Sequence, residues 1–361
     1  MLNKDSRQVI NLFLIIGLLI VLCILPHISS VYIVSLFISI LYFTCLSTSW
    51  AIFAGPTRYI SFAAAAFIGI GSYTTAFLVE SLPMVFIIII AAGIGFCLAA
   101  IVGLATLRLS GIYFVIFTFG LTELIRQLVL WFEINITKNL GRYIFSDFGR
   151  PEIYYGLLIL CVFTFVSGYF LHKSRYGIAL RTIGDDETVA RHSGINATWV
   201  KVVTFAATSS VMSAAGAIMA PRWTYIDPHI GFNHIVSFEI AIMALLGGIT
   251  HLFGPILGVI PLVLLLEFLS TNFPHYSLVI LGLSFLLIVF LLPWLKRLPL
   301  SPPNWDKKQG WIEEDFEQNN LTSDKFRFDR TFRLISKCPE LGVKGLSFGW
   351  VNEAFKRTEE F

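Results

Sequence analysis

The sequence contains few charged residues, and they are unevenly distributed. Only 14% of the 361 residues are charged, whereas soluble domains carry about 25%. Of the 26 basic and 23 acidic residues, 10 and 11 respectively follow Leu300. The mean hydropathy is +0.77 and 56% of the residues are hydrophobic, so residues 1–300 are too apolar for a water-soluble globule. The net charge of +3 gives no indication of nucleic-acid binding.

The sequence also lacks the motifs of an ATPase, an enzyme or a metalloprotein. The phosphate-loop pattern Gly-x-x-x-x-Gly-Lys-Ser/Thr is absent, and no glycine is followed by lysine. The five cysteines do not have metal-ligand spacing. No nucleophile is paired with a candidate base. We therefore predict that this chain has no catalytic residue, no metal and no cofactor of its own.

Apolar runs of bilayer-spanning length, roughly 20 residues each, recur before Leu300. They predict an all-α, polytopic membrane protein with about ten transmembrane helices. Passes eight and nine are separated by Gly247-Gly248 and form either two spans or one re-entrant pair. We assign residues 1–300 to a membrane domain and residues 301–361 to a polar cytoplasmic tail of unassigned fold. The predicted passes are 9–27, 31–54, 60–79, 84–107, 112–132, 152–171, 202–220, 235–249, 253–269 and 276–293.

The basic residues give the predicted orientation, because lysine and arginine are retained on the cytoplasmic side. With the N-terminus inside, Arg58, Arg108 and the polar segment 172–200 all fall in the cytoplasm. The loop 135–150 is an exception, since it carries three basic residues outside. Both termini are predicted to be cytoplasmic.

The cytoplasmic segment contains a short helix with complete end signals. We predict a helix over residues 186–193, with Asp185 as N-cap and Gly194 as the left-handed residue after its end. Asp186 and Glu187 complement the positive end of the helix dipole, and Arg191 complements the negative end. At about 1.5 Å per residue this helix is far too short to cross a membrane. It is either an ordinary solvated loop helix or an element that docks onto a partner.

Two apolar segments are rich in small residues. Ser61–Tyr73 includes Gly69 and Gly71, and Ser209–Pro221 has the same character. Small residues let helices approach closely in lipid, so tight bundle packing is the simpler interpretation. A broken helix that lines a cavity is the alternative.

Ionisable residues inside membrane segments are candidate functional residues, because burying a charge in lipid is costly. Glu123, Arg126 and Glu239 lie in predicted passes and offer both signs of charge. Glu123 and Arg126 are three residues apart on one helix face, so they form either a substrate contact or a structural pair. Tyr73 and Tyr113 are candidates to hydrogen-bond a ligand or to anchor at the membrane interface.

Four motifs resemble the LivM-type permease subunits of bacterial ABC importers, which serve branched-chain amino acids and, in close relatives, urea and other amides. The resemblance covers nearly all of residues 35–293. The motifs occur in the family's order, which makes the set far more specific than any one of them. They are GPTRYISFAAAAFIGIGSYTTA (Gly55–Ala76), LRLSGIYFVIFTFGLTELIR (Leu107–Arg126), SRYGIALRTIGDDETVARHSGIN (Ser174–Asn196) and SFEIAIMALLGGITHLFGPILG (Ser237–Gly258).

The resemblance implies a multi-pass subunit of the bacterial inner membrane that translocates a small polar solute, in the first place branched-chain amino acids. ATP and magnesium would bind partner subunits: the implied assembly contains a second homologous permease, two ABC ATPases and a periplasmic binding protein, within the lipid bilayer. Thr188-Val189 departs from the family's usual Ala-Ala, and Ala64 stands where a histidine is common.

The resemblance also implies two sets of site residues. The short helix would be the coupling helix, and the residues expected at the ATPase are Arg175, Gly177, Arg181, Asp186, Glu187, Ala190, Arg191 and Gly194. The residues expected along the substrate pathway are Ser61, Gly69, Gly71, Tyr73, Tyr113, Glu123, Arg126, Glu239, Gly247 and Gly248.

Three alternatives stay open from the sequence. A urea or amide permease would have the same architecture. An ion-coupled secondary transporter would carry an inverted repeat, which we do not detect, and a midplane carboxylate, for which Glu123 is the only support. A membrane enzyme would need clustered catalytic residues at one membrane face, and none stands out.

Overall fold

Helices joined by short connections make up the described part of the chain, as the composition predicts. The computed structural model describes residues 20–107, 111–146 and 148–273, together with Gly17 and Gly282. The first predicted pass lies only partly in this range. The tenth pass and the tail 301–361 lie outside the described residues.

Twelve helices, a single π-helical turn (Glu133–Thr137) and two very short strands can be followed in the described ranges. The antiparallel strands pair Arg142 with Ile226 and Tyr143 with Tyr225. The strands are β1 (Arg142–Tyr143) and β2 (Tyr225–Ile226). The helices are α1 (20–28), α2 (Val31–Thr57), α3 (Ala64–Leu78), α4 (Met84–Thr106), α5 (Ile112–Phe132), α6 (Arg150–Lys173), α7 (Arg175–Asp185), α8 (Glu187–His192), α9 (Ala197–Trp223), α10 (Pro228–Gly231), α11 (His234–Gly247) and α12 (Gly254–Asn272).

Seven helical stretches within the described ranges are long and apolar enough to cross a membrane. This is consistent with a polytopic membrane protein, whereas the predicted number of ten passes is not confirmed. Pass nine is α12, whose 19 residues have the length of a span, whereas pass eight is α11, whose 14 residues reach that length only together with α10 and residues 232–233. The seven stretches are Val31–Thr57, Met84–Thr106, Tyr113–Thr137, Arg150–Lys173, Ala197–Trp223, Pro228–Gly247 and Gly254–Asn272.

The third predicted pass differs from the prediction. Residues 58–63 are not helical, and the helix itself, α3, has 15 residues. At about 1.5 Å per residue it is about 22 Å long, short of a hydrocarbon core of about 30 Å. Twelve of its residues are buried, so α3 is an internal helix of partial length.

Helix α9 lies at the centre of the bundle and packs against α3 and α4 at backbone distance. A Cβ on Gly71 would lie 1.8 Å from the carbonyl oxygen of Ser213, and one on Gly216 would lie 2.2 Å from that of Ile68. The hydroxyl of Thr75 donates to the carbonyl of Ala217 across the same interface, at 3.1 Å. Gly71 and Gly216 therefore allow the two helices to pack closely.

The polar segment after α6 folds as two short helices, α7 and α8, that lie across one end of the bundle. At this end α2 and α4 finish and α9 begins, and we call it the α7–α8 end. A Cβ on Gly184 would lie 2.0 Å from the carbonyl oxygen of Pro56, at the end of α2. The segment also has an apolar core of its own, formed by Leu180, Ile183, Ala190, Ala197 and Val200.

The ends of α8 follow the predicted capping scheme with one correction. The N-cap is Asp186, whose Oδ1 accepts from the backbone N–H groups of Thr188 and Val189 at 2.8 and 3.2 Å. The prediction that Asp185 is the N-cap is wrong, because Asp185 is the last residue of α7. Gly194 follows the helix with φ +81°, the left-handed conformation that was predicted.

Candidate functional site

The α7–α8 segment is fastened to the bundle by an exposed ion pair and a buried one. In the exposed pair, Arg58 Nη2 lies 2.7 Å from Asp185 Oδ1, and both side chains are mostly in solvent. In the buried pair, Lys201 Nζ lies 2.9 Å from Glu187 Oε2. The Lys201 side chain is 1% exposed and that of Glu187 is 24% exposed. The buried pair joins α8 to the first turns of α9.

The Lys201 ammonium is fully coordinated. It donates to both Glu187 carboxylate oxygens, to the carbonyl of Leu107 at 2.9 Å, and to the hydroxyl of Tyr59 at 3.3 Å. Leu107 follows α4, and Tyr59 lies in the connection between α2 and α3. One ammonium therefore links four parts of the chain: α8, α9, the end of α4 and the connection before α3.

Glu187 is held in its charged form by its neighbours. Burial acts to raise the pKa of its carboxyl, but hydrogen bonds from Lys201 and Arg191 outweigh burial and hold the pKa below the usual value of 4.5. Burial and the nearby Glu187 charge raise the pKa of Tyr59 to about 12. Tyr59 therefore stays protonated and donates its hydroxyl hydrogen to Glu187 Oε2 at 3.0 Å.

The outward surface of the α7–α8 segment combines apolar and cationic side chains. Ile178 is 62% exposed and Val189 53% exposed, although both are apolar. Arg175 and Arg181 lie three residues before and after Ile178, so the three share one face of α7, opposite the buried Leu180. These exposed apolar and charged side chains make the segment a candidate surface for binding another protein.

The residues predicted to contact an ATPase divide into two groups. Three face inward. Ala190 is buried in the segment's core, and the Glu187 side chain contacts Lys201. Gly177 lies against the backbone, because a Cβ added there would be 2.3 Å from the carbonyl oxygen of Leu171. The exposed members are Arg175, Arg181, Asp186, Arg191 and Gly194. Arg191 also pairs with Glu187 at 2.7 Å, and Arg181 Nη2 lies 3.2 Å from His172 Nδ1.

The beginning of α3 is the second polar feature inside the bundle. The indole N–H of Trp50 donates to the carbonyl of Ser61 at 2.7 Å, and Trp50 lies seven residues, about 10 Å of helix rise, before the end of α2. The chain thus re-enters the bundle before α3 starts. Hydroxyls from two other helices accept from its backbone: Thr118 from Phe62 N at 3.1 Å and Ser237 from Ala65 N at 2.9 Å.

The other candidate residues on α3 contact two different neighbours. Gly69 and Tyr73 both face Phe232: a Cβ on Gly69 would lie 2.3 Å from that ring, and the Tyr73 ring stacks on it with a centroid distance of 5.6 Å. Gly71 instead faces α9. The hydroxyl of Tyr73 is buried and has no hydrogen-bond partner in the described part of the protein.

Glu123 and Arg126 form a closed ion pair on α5. Arg126 Nε donates to Glu123 Oε2 at 2.9 Å, and Gln127 adds a hydrogen bond to Oε1 at 2.8 Å. Two histidines complete the cluster: His229 Nδ1 lies 2.7 Å from Arg126 Nη1, and His234 Nε2 lies 3.7 Å from Glu123 Oε2. The charges of Glu123 and Arg126 neutralise each other in this cluster.

The remaining candidates do not join this cluster. Tyr113 is 67% exposed on α5, and neither Tyr113 nor the half-buried Glu239 takes part in the described hydrogen bonds or ion pairs. Gly247 packs against Gly254 of α12, and Gly248 ends α11 with φ +96°. The predicted pathway residues therefore do not form one cluster, although Gly69, Tyr73, Glu123 and Arg126 all contact residues 229–234.

Sequence reasoning missed Lys201, Tyr59, His229 and His234. Lys201 gave one signal, since it is the lone charge at the start of the apolar run of α9. The described ranges contain no group of three His, Cys, Asp or Glu residues placed to hold a metal ion.

Comparisons with known proteins place the chain among transport subunits. The family model described as "Branched-chain amino acid transport system / permease component" matches residues 32–289. The high-affinity branched-chain amino acid transport system permease protein LivM of Salmonella typhimurium is 26% identical over 285 residues, covering 68% of this chain and 64% of the relative. LivM of Escherichia coli K12 matches with the same identity and coverage.

A sugar permease is also similar over a shorter region. The ribose import permease protein RbsC of Escherichia coli K12 is 25% identical over 143 residues, which cover 38% of this chain and 43% of the relative. No solved structure matches the chain. The chain spans 64% of the length of the two LivM proteins.

Proposed function

The chain belongs to the branched-chain amino acid transport system permease family, and on that premise we propose that it is the membrane-spanning permease subunit of an ABC importer. Members of this family are transport subunits in the membrane rather than enzymes. In the proposed assembly the chain binds two ABC ATPase subunits, a second homologous permease and a periplasmic binding protein. It lies in the bacterial inner membrane with both termini in the cytoplasm.

The observation that carries this proposal is the α7–α8 segment. Its inner face is fixed to the ends of three long helices, and its outer face presents Ile178 and Val189 among arginines. A passive connector needs no buried ion pair and no exposed apolar surface. A docking element has to bind a partner and stay fixed against the bundle, and the α7–α8 segment has a feature for each. We assign α8 the role of coupling helix.

We propose branched-chain amino acids as the transported solutes, on the strength of the two LivM relatives. Urea, amides and sugars are the alternatives, and the ribose permease relative favours the last of these. The Glu123–Arg126 pair gives no preference, because each charge already has a partner. An ion-coupled transporter would have to use a carboxylate such as Glu239, which has no partner in the described contacts.

Reconstituted transport tests the proposal. The chain, its co-expressed ATPase and second permease are placed in vesicles, and uptake of labelled leucine, urea or ribose is measured with the binding protein outside and ATP inside. We expect leucine uptake that needs ATP and persists without an ion gradient. Uptake driven by a gradient without ATP would contradict the proposal.

A matched pair of variants locates the docking surface. Val189→Asp places a charge on the exposed surface of α8, whereas Phe145→Asp does so at a 76% exposed aromatic beyond β1. We expect Val189→Asp to lose the ATPase during purification and Phe145→Asp to retain it. Reversal of Glu187 is a poorer test, because this residue binds Lys201 inside the protein. Equal ATPase retention by both variants would contradict the coupling role.

A further inference from the structure

Lys201 stands out because it is the fully buried cation of the described residues. It lies in the apolar sequence of α9, and its ammonium donates hydrogen bonds to the Glu187 carboxylate of α8. Removing two charges from water costs several kcal/mol per ion, so well-packed apolar residues often do as well or better. Stability alone therefore does not explain this pair.

The segment also has other means of attachment. Leu180, Ile183 and Ala190 pack with Ala197 and Val200, and the Arg58–Asp185 pair lies at its edge. Apolar contacts of this kind are not directional, and an exposed ion pair is worth about 0–1 kcal/mol. The Glu187–Lys201 contact differs from both, since it fixes the position of one atom of α8 relative to α9 in a buried setting.

Two routes lead from Lys201 into the bundle. The first is α9 itself, which meets α3 at backbone distance through Gly71 and Gly216. The second is Tyr59, which bonds to both Lys201 and Glu187 and lies two residues before Ser61, where the chain is fixed by Trp50. Both routes end at α3, the internal helix of partial length. Two chains of contacts therefore connect α8 to α3.

We propose that Glu187 and Lys201 are positioning residues that transmit movement of the coupling helix to α9 and to the connection before α3. This inference rests on the proposed function, because it needs an ATPase that moves α8. Glu187 then acts inside the permease, through Lys201 and Tyr59, rather than as a contact on the ATPase surface.

The test follows an ATP-dependent movement instead of transport, so it does not depend on which solute is carried. A spin label is placed at Ile60→Cys, an exposed position between Tyr59 and Ser61, in a chain whose other cysteines are replaced by alanine. Spectra of the full complex in vesicles are compared without nucleotide and with ATP and vanadate. With Glu187 and Lys201 both present, we expect the spectrum of the label at position 60 to differ between the two nucleotide states.

Lys201→Met and Glu187→Gln are the test variants, and Asp185→Asn is the control at the exposed pair. We expect the control to keep the spectral change. We expect Lys201→Met to lose it while the ATPase stays bound and active. Glu187→Gln keeps the shape of the side chain but removes its charge and one of the two oxygens that accept from Lys201. We expect it to lose the spectral change as well, so it decides the outcome if Lys201→Met does not fold.

Three results would overturn the inference. They are a wild-type complex with no change at position 60, test variants that keep the change, and test variants that lose the ATPase altogether. The last would show that the pair only holds the docking surface in shape. A wild-type chain that binds no ATPase at all would instead refute the proposed function, which the purification step reveals before any spectrum is taken.

Discussion

Because α3 packs so closely on α9, adding even a single methyl group at their contact should strongly destabilise the protein. In Gly71→Ala the new Cβ would lie 1.8 Å from the carbonyl oxygen of Ser213, whereas ordinary contact begins at 3.4 Å. The two helices would have to separate by up to about 1.6 Å, the difference between these distances. The matched control is Gly93→Ala in α4, because a Cβ there meets nothing within 4 Å.

The expected loss of stability has two parts, the overpacking itself and the hydrogen bonds between α3 and α9 that the separation breaks. Overpacking costs about 1–3 kcal/mol, and two interhelical hydrogen bonds in a membrane are worth about 0.6 kcal/mol each. Those bonds run from Ser72 and Thr75 of α3 to α9, each at 3.1 Å. Both variants gain the same helix propensity from alanine, so that term cancels. We expect Gly71→Ala to be less stable than Gly93→Ala by about 2–4 kcal/mol.

Equilibrium unfolding in mixed micelles, with increasing dodecyl sulfate, gives the two free energies of unfolding. Because both variants are Gly→Ala changes in the same protein, the free energy of the unfolded chain in detergent cancels in the comparison. Equal stabilities of Gly71→Ala and Gly93→Ala would refute the backbone-distance contact between α3 and α9, and with it one of the two routes from α8 to α3.

Three further outcomes are expected. Ser237→Ala leaves the Ala65 N–H of α3 without its acceptor and should cost about 1–3 kcal/mol in the same unfolding assay. The pKa of Glu187 is lowered in the folded protein, so its stabilisation of α8 is complete above pH 4.5 and is lost as the pH falls through the folded pKa. Amide hydrogen exchange of α8 should accelerate in that pH range, and Glu187→Gln should not show this pH dependence. Arg126→Gln should destabilise the protein more than the double variant Glu123→Gln/Arg126→Gln, since only the single variant leaves the Glu123 carboxylate without the guanidinium, with Gln127 and His234 as its remaining neighbours.

Local signals in the sequence predict the end of α8 correctly but not its N-cap residue. Gly194 is the left-handed residue that follows a helix, and its role depends on its own backbone alone. Asp185 and Asp186 are adjacent acidic residues with equal capping chemistry. The choice between them depends on α7 and on the Arg58 pair, 127 residues away in the chain, which no local pattern reports.

The partial length of α3 could not be predicted from the apolar run over 60–79. An apolar composition shows that a segment is buried, not that it is helical throughout. Residues 58–63 leave the helical conformation because acceptors and donors from elsewhere, among them Trp50, Thr118 and Ser237, satisfy their backbone and that of the first turn of α3. These partners lie on three other helices.

The Lys201 site and the two histidines beside Arg126 were missed for a similar reason. Tyr59 and Glu187 are 128 residues apart, and Arg126 and His229 are 103 apart, so neither contact has a periodic signal. The ion pair between Glu123 and Arg126 was predictable, because three residues on one helix place two side chains on the same face.

The central claim is that the α7–α8 segment binds the ATPase of an ABC importer, and cross-linking from single positions tests it most directly. A photoreactive amino acid is placed at position 189 on α8, or at position 145 beyond β1 as the control, in the complete complex. The claim predicts an adduct with the ATPase from position 189 and none from position 145. No adduct from 189, or equal adducts from both positions, would contradict it.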